Sequence, residues 1–173
     1  MQTFLPYPDF EKSIRILDSS RRNKQAVESS QLITVLDSSY KKFFPHRNQN
    51  PNSKGWINHP AVKLWKGYLD ALILYYNINL EICIEEYGVK FEKLVPLPMK
   101  NRIACLPPWF GWELFHLSHR SNLLSKKPEY YKNIQGFIGI PDDLGYLWLD
   151  NKHFLDNYNK YHKITLENLC VTK

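Results

Sequence analysis

Arg21, Arg22 and Lys24 crowd the first turns of what reads as an α-helix from about Arg21 to Leu36, with Gln25 and Glu28 next along it. Cations are misplaced at a helix start, because the positive end of the dipole repels them and favours acids. The pattern admits two uses. It can grip the phosphates of a polyanion, or it can be a solvated surface on which Glu28 pairs with Lys24. A second basic stretch, Lys41, Lys42, His46, Arg47 and Lys54 among Asn, Ser and Pro, reads as loop and is open to the same two readings. Glu113, His116 and His119 stand three apart, a spacing that places a carboxylate and two imidazoles near one side of a helix. Carboxylate-bridged metal bundles need a matching Glu-x-x-His on another helix, and the sequence has none, so no metal site is expected. Cys83, Cys105 and Cys170 are odd in number, far apart and without CxxC spacing, which reads as reduced thiols in an intracellular protein.

The elements that must position these groups are helical. Asn58 to Gly88 reads as one helix of about 28 residues, roughly 40 Å long, with Pro60 in its first turn, Asn58 or His59 as cap and Gly88 as stop. Val62, Trp65, Leu69, Leu72, Ile73, Tyr76, Leu80, Cys83, Ile84 and Tyr87 form its core-facing stripe. Leu64, Tyr68, Ala71, Tyr75, Ile78 and Ile82 make a second stripe beside it, as on a central helix packed from both flanks. Asp70, Asn77, Asn79 and Glu81 interrupt the run and argue against a membrane span. Upstream, Asp9 caps a short helix carrying Phe10, Ile14 and Leu17, and the helix from Arg21 is expected to bury Val27, Ile33 and Leu36. A third main helix spans Trp112 to Lys126, and Pro128 starts a short turn through Tyr130, Tyr131 and Lys132. Prolines between Glu92 and Gly111 rule out a long element there, and Trp109 and Phe110 read as packed loop residues.

With 173 residues, 43% of them hydrophobic, the chain can bury one sizeable core. The fold expected is all-α: a single compact domain of three main helices around the long central helix, with extended loops. That domain covers residues 1–150, and 151–173 form a C-terminal extension whose polar and aromatic residues show no clear period. A formal net charge of +6 favours a polyanionic partner. The opening MQTFLPYPDF has neither a basic n-region nor an apolar h-region, so no signal peptide is expected and the protein is placed inside the cell.

Three segments, taken in order, resemble the pyrimidine-dimer DNA glycosylase family, the phage endonuclease V-like enzymes. They are MQTFLPYPDF followed by RRNKQAVE, then NHPAVKLWKGYLDALILYY, then HLSHRSNLLSKKPEYYKN, covering roughly residues 1–135. The likeness is closer to a cellular and viral branch than to the phage enzyme itself. It implies a DNA repair glycosylase with abasic lyase activity, acting as a monomer on double-stranded DNA without metal, organic cofactor or membrane.

In the mechanism that the resemblance implies, a free α-amine attacks the anomeric carbon of the damaged nucleotide. The base is displaced, and the resulting Schiff base eliminates the 3′ phosphate. An α-amine suits this role because its ordinary pKa of about 7.7–8.0 leaves a useful neutral fraction near neutral pH. A carboxylate stabilises the cationic sugar and moves protons. Carried onto this chain, the amine is that of Met1, since Gln2 stands where the phage type has Thr and a large second residue retains the initiator. The phage-type Arg-Glu pair falls at Arg22-Asn23, so the carboxylate is absent from its usual place and Glu28 is the expected substitute. Lys24 is the rival nucleophile, because Arg21 and Arg22 disfavour the protonated form of an amine among them. Arg21, Arg22, Gln25, His59, Arg120, Lys126 and Lys127 are the expected DNA contacts, with capping the competing role for His59.

Overall fold

A computed structural model of the chain describes residues 2–45, 56–101 and 103–148. All regular elements among them are helices, as expected for an all-α fold. They fall into two units: residues 1–4 with 9–107, and residues 5–8 with 108–173. Arg102, His46, Arg47, Lys54, Met1 and the extension at 151–173 lie outside the described residues.

The first unit holds α1 (Phe10–Arg15), α2 (Ser19–Leu36), a 3-10 helix over Ser38–Phe43, α3 (Pro60–Trp65) and α4 (Leu69–Glu85). Asp9 caps α1 by accepting the Lys12 N–H at 2.8 Å, and Phe10, Ile14 and Leu17 are buried as expected. Asp18 caps α2, which therefore begins two residues before the expected start, and its carboxylate also holds the Arg21 guanidinium at 2.6 Å. That buried carboxylate offsets part of the dipole penalty on the cations behind it.

The buried face of α2 differs from the expected one. Ile33 is buried, but Val27 is 37% exposed and Leu36 is half-buried. Arg22, Gln25, Ala26, Ser29 and Ile33 point inward instead. Hydrophobicity misplaces the stripe because the inward face is largely polar, with Gln25 and Arg22 donating to backbone carbonyls elsewhere in the chain.

The expected single helix from Asn58 to Gly88 is two helices. His59 caps α3 through Nδ1, which accepts the Ala61 N–H at 3.1 Å. The helix stops at Lys66, whose ψ of 122° is extended, and Gly67 follows at φ 91°, a conformation that favours glycine. The break has a structural consequence. In a straight helix Trp65 and Tyr75 would be separated by about 15 Å of rise; here their ring centroids are 6.3 Å apart. Gly88 follows the end of α4 at φ 62°, as its role as a stop requires. Ile84 and Tyr87, expected in the core stripe, are exposed, because the stripe runs past the core in the last turn.

The polar residues of α4 hold the proline-rich chain beyond it. Asn77 makes two 2.8 Å bonds to the peptide groups of Leu97, and the Tyr76 hydroxyl donates to the Val95 carbonyl at 2.9 Å. Asn79 donates to the Arg22 carbonyl at 3.3 Å, joining α4 to α2. No helix among the described residues is long and apolar enough to cross a membrane. Cys83 and Cys105 are unbridged.

The second unit is built on α5 (Glu113–Lys126) and α6 (Pro128–Tyr131). Trp109 is buried, with its ring 4.6 Å from Phe115, and Tyr131 stacks on Phe137 at 5.3 Å. Ser121 and Ser118 accept the N–H groups of Leu144 and Leu147, which folds the segment after Gly136 back onto α5.

Candidate active site

Residues 2–4 form no sheet and no helix, yet they are buried, so their peptide groups must find partners elsewhere. Side chains of the first unit supply them. The Gln2 N–H donates to Glu28 Oε2 at 3.0 Å. Gln25 meets the same segment from both directions: Nε2 donates to the Gln2 carbonyl at 3.1 Å, and Oε1 accepts the Phe4 N–H at 2.8 Å. The Tyr75 hydroxyl lies 3.1 Å from the Phe4 carbonyl and 2.8 Å from Gln25 Oε1, either of which can accept its single proton. The Trp65 indole N–H donates to Thr3 Oγ1 at 2.9 Å. Gln2 accepts the Thr3 N–H through its own side chain at 3.0 Å. The start of the chain is thus fixed by a carboxylate, an amide, a phenol and an indole, drawn from α2, α3 and α4.

The electrostatics of this cluster favour the neutral forms of Tyr75 and His59. Burial pushes the Tyr75 phenol well above its ordinary value, and the Glu28 carboxylate pushes it further the same way, so it remains a donor. Burial lowers the His59 imidazole below the usual histidine range; the positive chain terminus acts in the same direction and Glu28 opposes both. With Nδ1 accepting the Ala61 N–H, a neutral His59 carries its proton on Nε2.

The other α2 residues divide. Arg21 is held by Asp18. Arg22 is 6% exposed, donates to the Leu17 carbonyl at 3.1 Å and lies over the Tyr87 ring at 3.3 Å. Lys24 is exposed. Asn23, at the position of the phage-type carboxylate, accepts from Cys83 Sγ at 3.9 Å. Gln25 is wholly buried with both ends of its amide engaged.

Residues 5–8 belong to the second unit, which meets their peptide groups in the same manner. His119 Nδ1 accepts the Leu5 N–H at 3.3 Å, His116 Nδ1 donates to the Leu5 carbonyl at 2.8 Å, and Arg120 donates to the Pro6 carbonyl at 2.8 Å. His116 Nε2 accepts the Gly111 N–H at 3.0 Å, which fixes its neutral tautomer. Burial lowers both imidazoles, His119 to about 3 with the neighbouring His116 adding to the effect. Arg120 is buried, pairs with Glu113 and has Tyr7 at 5.4 Å. Lys126 is exposed, and the Lys127 ammonium lies 5.4 Å from the Tyr130 ring centroid. Among the described residues no group of three or more His, Cys, Asp and Glu is placed to hold a metal ion.

Sequence reasoning found Glu28, Gln25 and His59 but assigned Gln25 and His59 to DNA. It missed Thr3, which carried no reading of its own, and Trp65 and Tyr75, which read only as core, and it weighed His116 and His119 only as metal ligands. No local signal marks a side chain whose partner is a peptide group more than sixty residues away.

Side chains of α2, α3 and α4, the half-buried Glu28 among them, thus hold residues 2–4 of an all-helical chain. The family model for pyrimidine dimer DNA glycosylase matches residues 1–87, half of the sequence, and the chain belongs to that family. The match spans α1–α4 and the cluster around Glu28, and leaves out the third of the resembling segments. No curated protein and no solved structure gives a significant match.

Proposed function

We propose that the chain is a repair glycosylase with abasic lyase activity on damaged duplex DNA such as pyrimidine dimers, working through an amine Schiff base. The observation that carries this reading is the 3.0 Å bond from Gln2 N–H to Glu28, which ties a carboxylate to the residue next to Met1. The α-amine of Met1 attacks C1′ of the damaged nucleotide; the base leaves with the glycosidic electron pair and takes up a proton. Ring opening gives an iminium between C1′ and the amine. Loss of a C2′ proton then breaks the C3′–O bond and releases the 3′ phosphate. Glu28 stabilises the cationic sugar and moves the protons. Arg21, His59, Lys126 and Lys127 serve the phosphates, whereas Arg22, Arg120 and Gln25, expected as DNA contacts, are buried and donate to backbone carbonyls of the fold, and Lys24 is the alternative nucleophile.

Borohydride reduction in the presence of duplex carrying an abasic site or a pyrimidine dimer tests the reading. A covalent protein–DNA adduct is expected, with the attached peptide identified by mass. Failure to trap an adduct with either substrate between pH 6 and 9 rejects the chemistry. One observation favours a second reading, a non-catalytic binder of distorted DNA on the same fold: Asn23 replaces the usual carboxylate and faces Cys83. That reading expects salt-dependent binding with neither trapping nor strand cleavage.

A further inference from the structure

Trp56 and Ile57 are adjacent, 41% and 59% exposed, and stand three and two residues before His59, the cap of α3. They are held in place, since the His59 N–H donates to the Trp56 carbonyl at 3.0 Å and the indole lies 5.3 Å from the imidazole, tilted by 46°. His59 lies within electrostatic range of Glu28, which acts on it against the larger effect of burial. At its other end, α3 delivers the Trp65 indole to Thr3. α3, six residues and about 9 Å long, therefore runs from His59 beside the exposed pair to Trp65 at Thr3. Lys63 and Lys66, on and just after α3, are exposed and carry the charge that a phosphate backbone calls for.

Access to C1′ requires the damaged nucleotide to leave the stack, and the gap it leaves is costly unless an apolar group enters it. An indole offers a flat face that stacks on any base, independent of sequence. We propose that Trp56, with Ile57 beside it, is a wedge that enters the base stack and fills the gap opened beside Glu28. The proposal rests on the repair reading, and the Ile57 side chain extends the apolar surface that the neighbouring base pair would cover.

The test compares wild-type protein with Trp56→Ala and Trp56→Phe on duplexes that place 2-aminopurine next to an abasic site. Wild-type protein is expected to quench 2-aminopurine fluorescence on binding. Trp56→Ala loses the quenching and raises KM on the order of tenfold or more, with a smaller effect on kcat, and Trp56→Phe restores most of both. Equal quenching and equal KM in wild type and Trp56→Ala overturn the wedge while leaving the repair reading in place. If wild-type protein binds the duplex but neither cleaves it nor forms a borohydride adduct, the repair reading fails and the wedge with it.

Discussion

Gln25 stands between Gln2 and Phe4, with its amide nitrogen on the carbonyl of one and its amide oxygen on the N–H of the other. A single side chain thus performs for an extended segment what a neighbouring strand would perform in a sheet. The carboxylate of Glu28, one turn further along α2, continues the same row to the Gln2 N–H. Residues 2–4 are thereby held along α2, and an attacking amine at that end of the chain would need such positioning.

Replacing Glu28 by Gln keeps an acceptor for the Gln2 N–H but removes the charge. Stability is expected to change by about 1 kcal/mol or less, while cleavage of abasic duplex falls by roughly 10²–10⁴. Single-turnover cleavage and denaturant unfolding of the same preparations separate the two effects. Cleavage at the wild-type rate would remove Glu28 from the chemistry.

Gln25→Leu leaves the Gln2 carbonyl and Phe4 N–H buried without partners. It is expected to destabilise the fold by about 2–6 kcal/mol, from roughly 1–3 for each orphaned group. Tyr75→Phe removes one hydroxyl and is expected to cost about 1 kcal/mol. Urea unfolding midpoints at constant m-value measure both.

The histidines make stability depend on acid. His119 has its folded value lowered to about 3 by burial and by His116, against about 6.5 in an unfolded chain. A depressed histidine contributes stability that is complete above the unfolded value and is lost as pH falls from about 6.5 toward about 3. His119→Asn keeps an acceptor for the Leu5 N–H without titrating, so its unfolding free energy should decline less steeply across that window than that of wild type. Identical slopes would remove His119 as the source.

The two candidate nucleophiles respond differently to a few residues added ahead of Met1. The extension should abolish trapping if the α-amine attacks and spare it if Lys24 does. Lys24→Arg should do the reverse. Mass mapping of the reduced adduct decides between them without relying on rates.

The sequence alone determined most of the helical parts of the chain and much of how they begin and end, though the stretch from Ser38, which reads as loop, forms a 3-10 helix over Ser38–Phe43 capped by Asp37. Asp9, His59, Pro128 and Gly88 act within a turn of themselves, so their caps and stops follow from local chemistry. It also singled out Glu28, as the acid on the same helix nearest the place where the resemblance expects a carboxylate. The break at Gly67 was not readable, because glycine costs a helix only about 1 kcal/mol and the apolar stripe continues across it. Only the packed fold turned Trp65 toward Thr3 and Tyr75 toward Phe4. Only the packed fold turned the polar face of α2 inward as well, toward peptide groups that no helix or sheet could satisfy. Those choices depend on contacts between residues twenty to seventy positions apart, and periodicity carries no information about which distant group a buried polar side chain will meet.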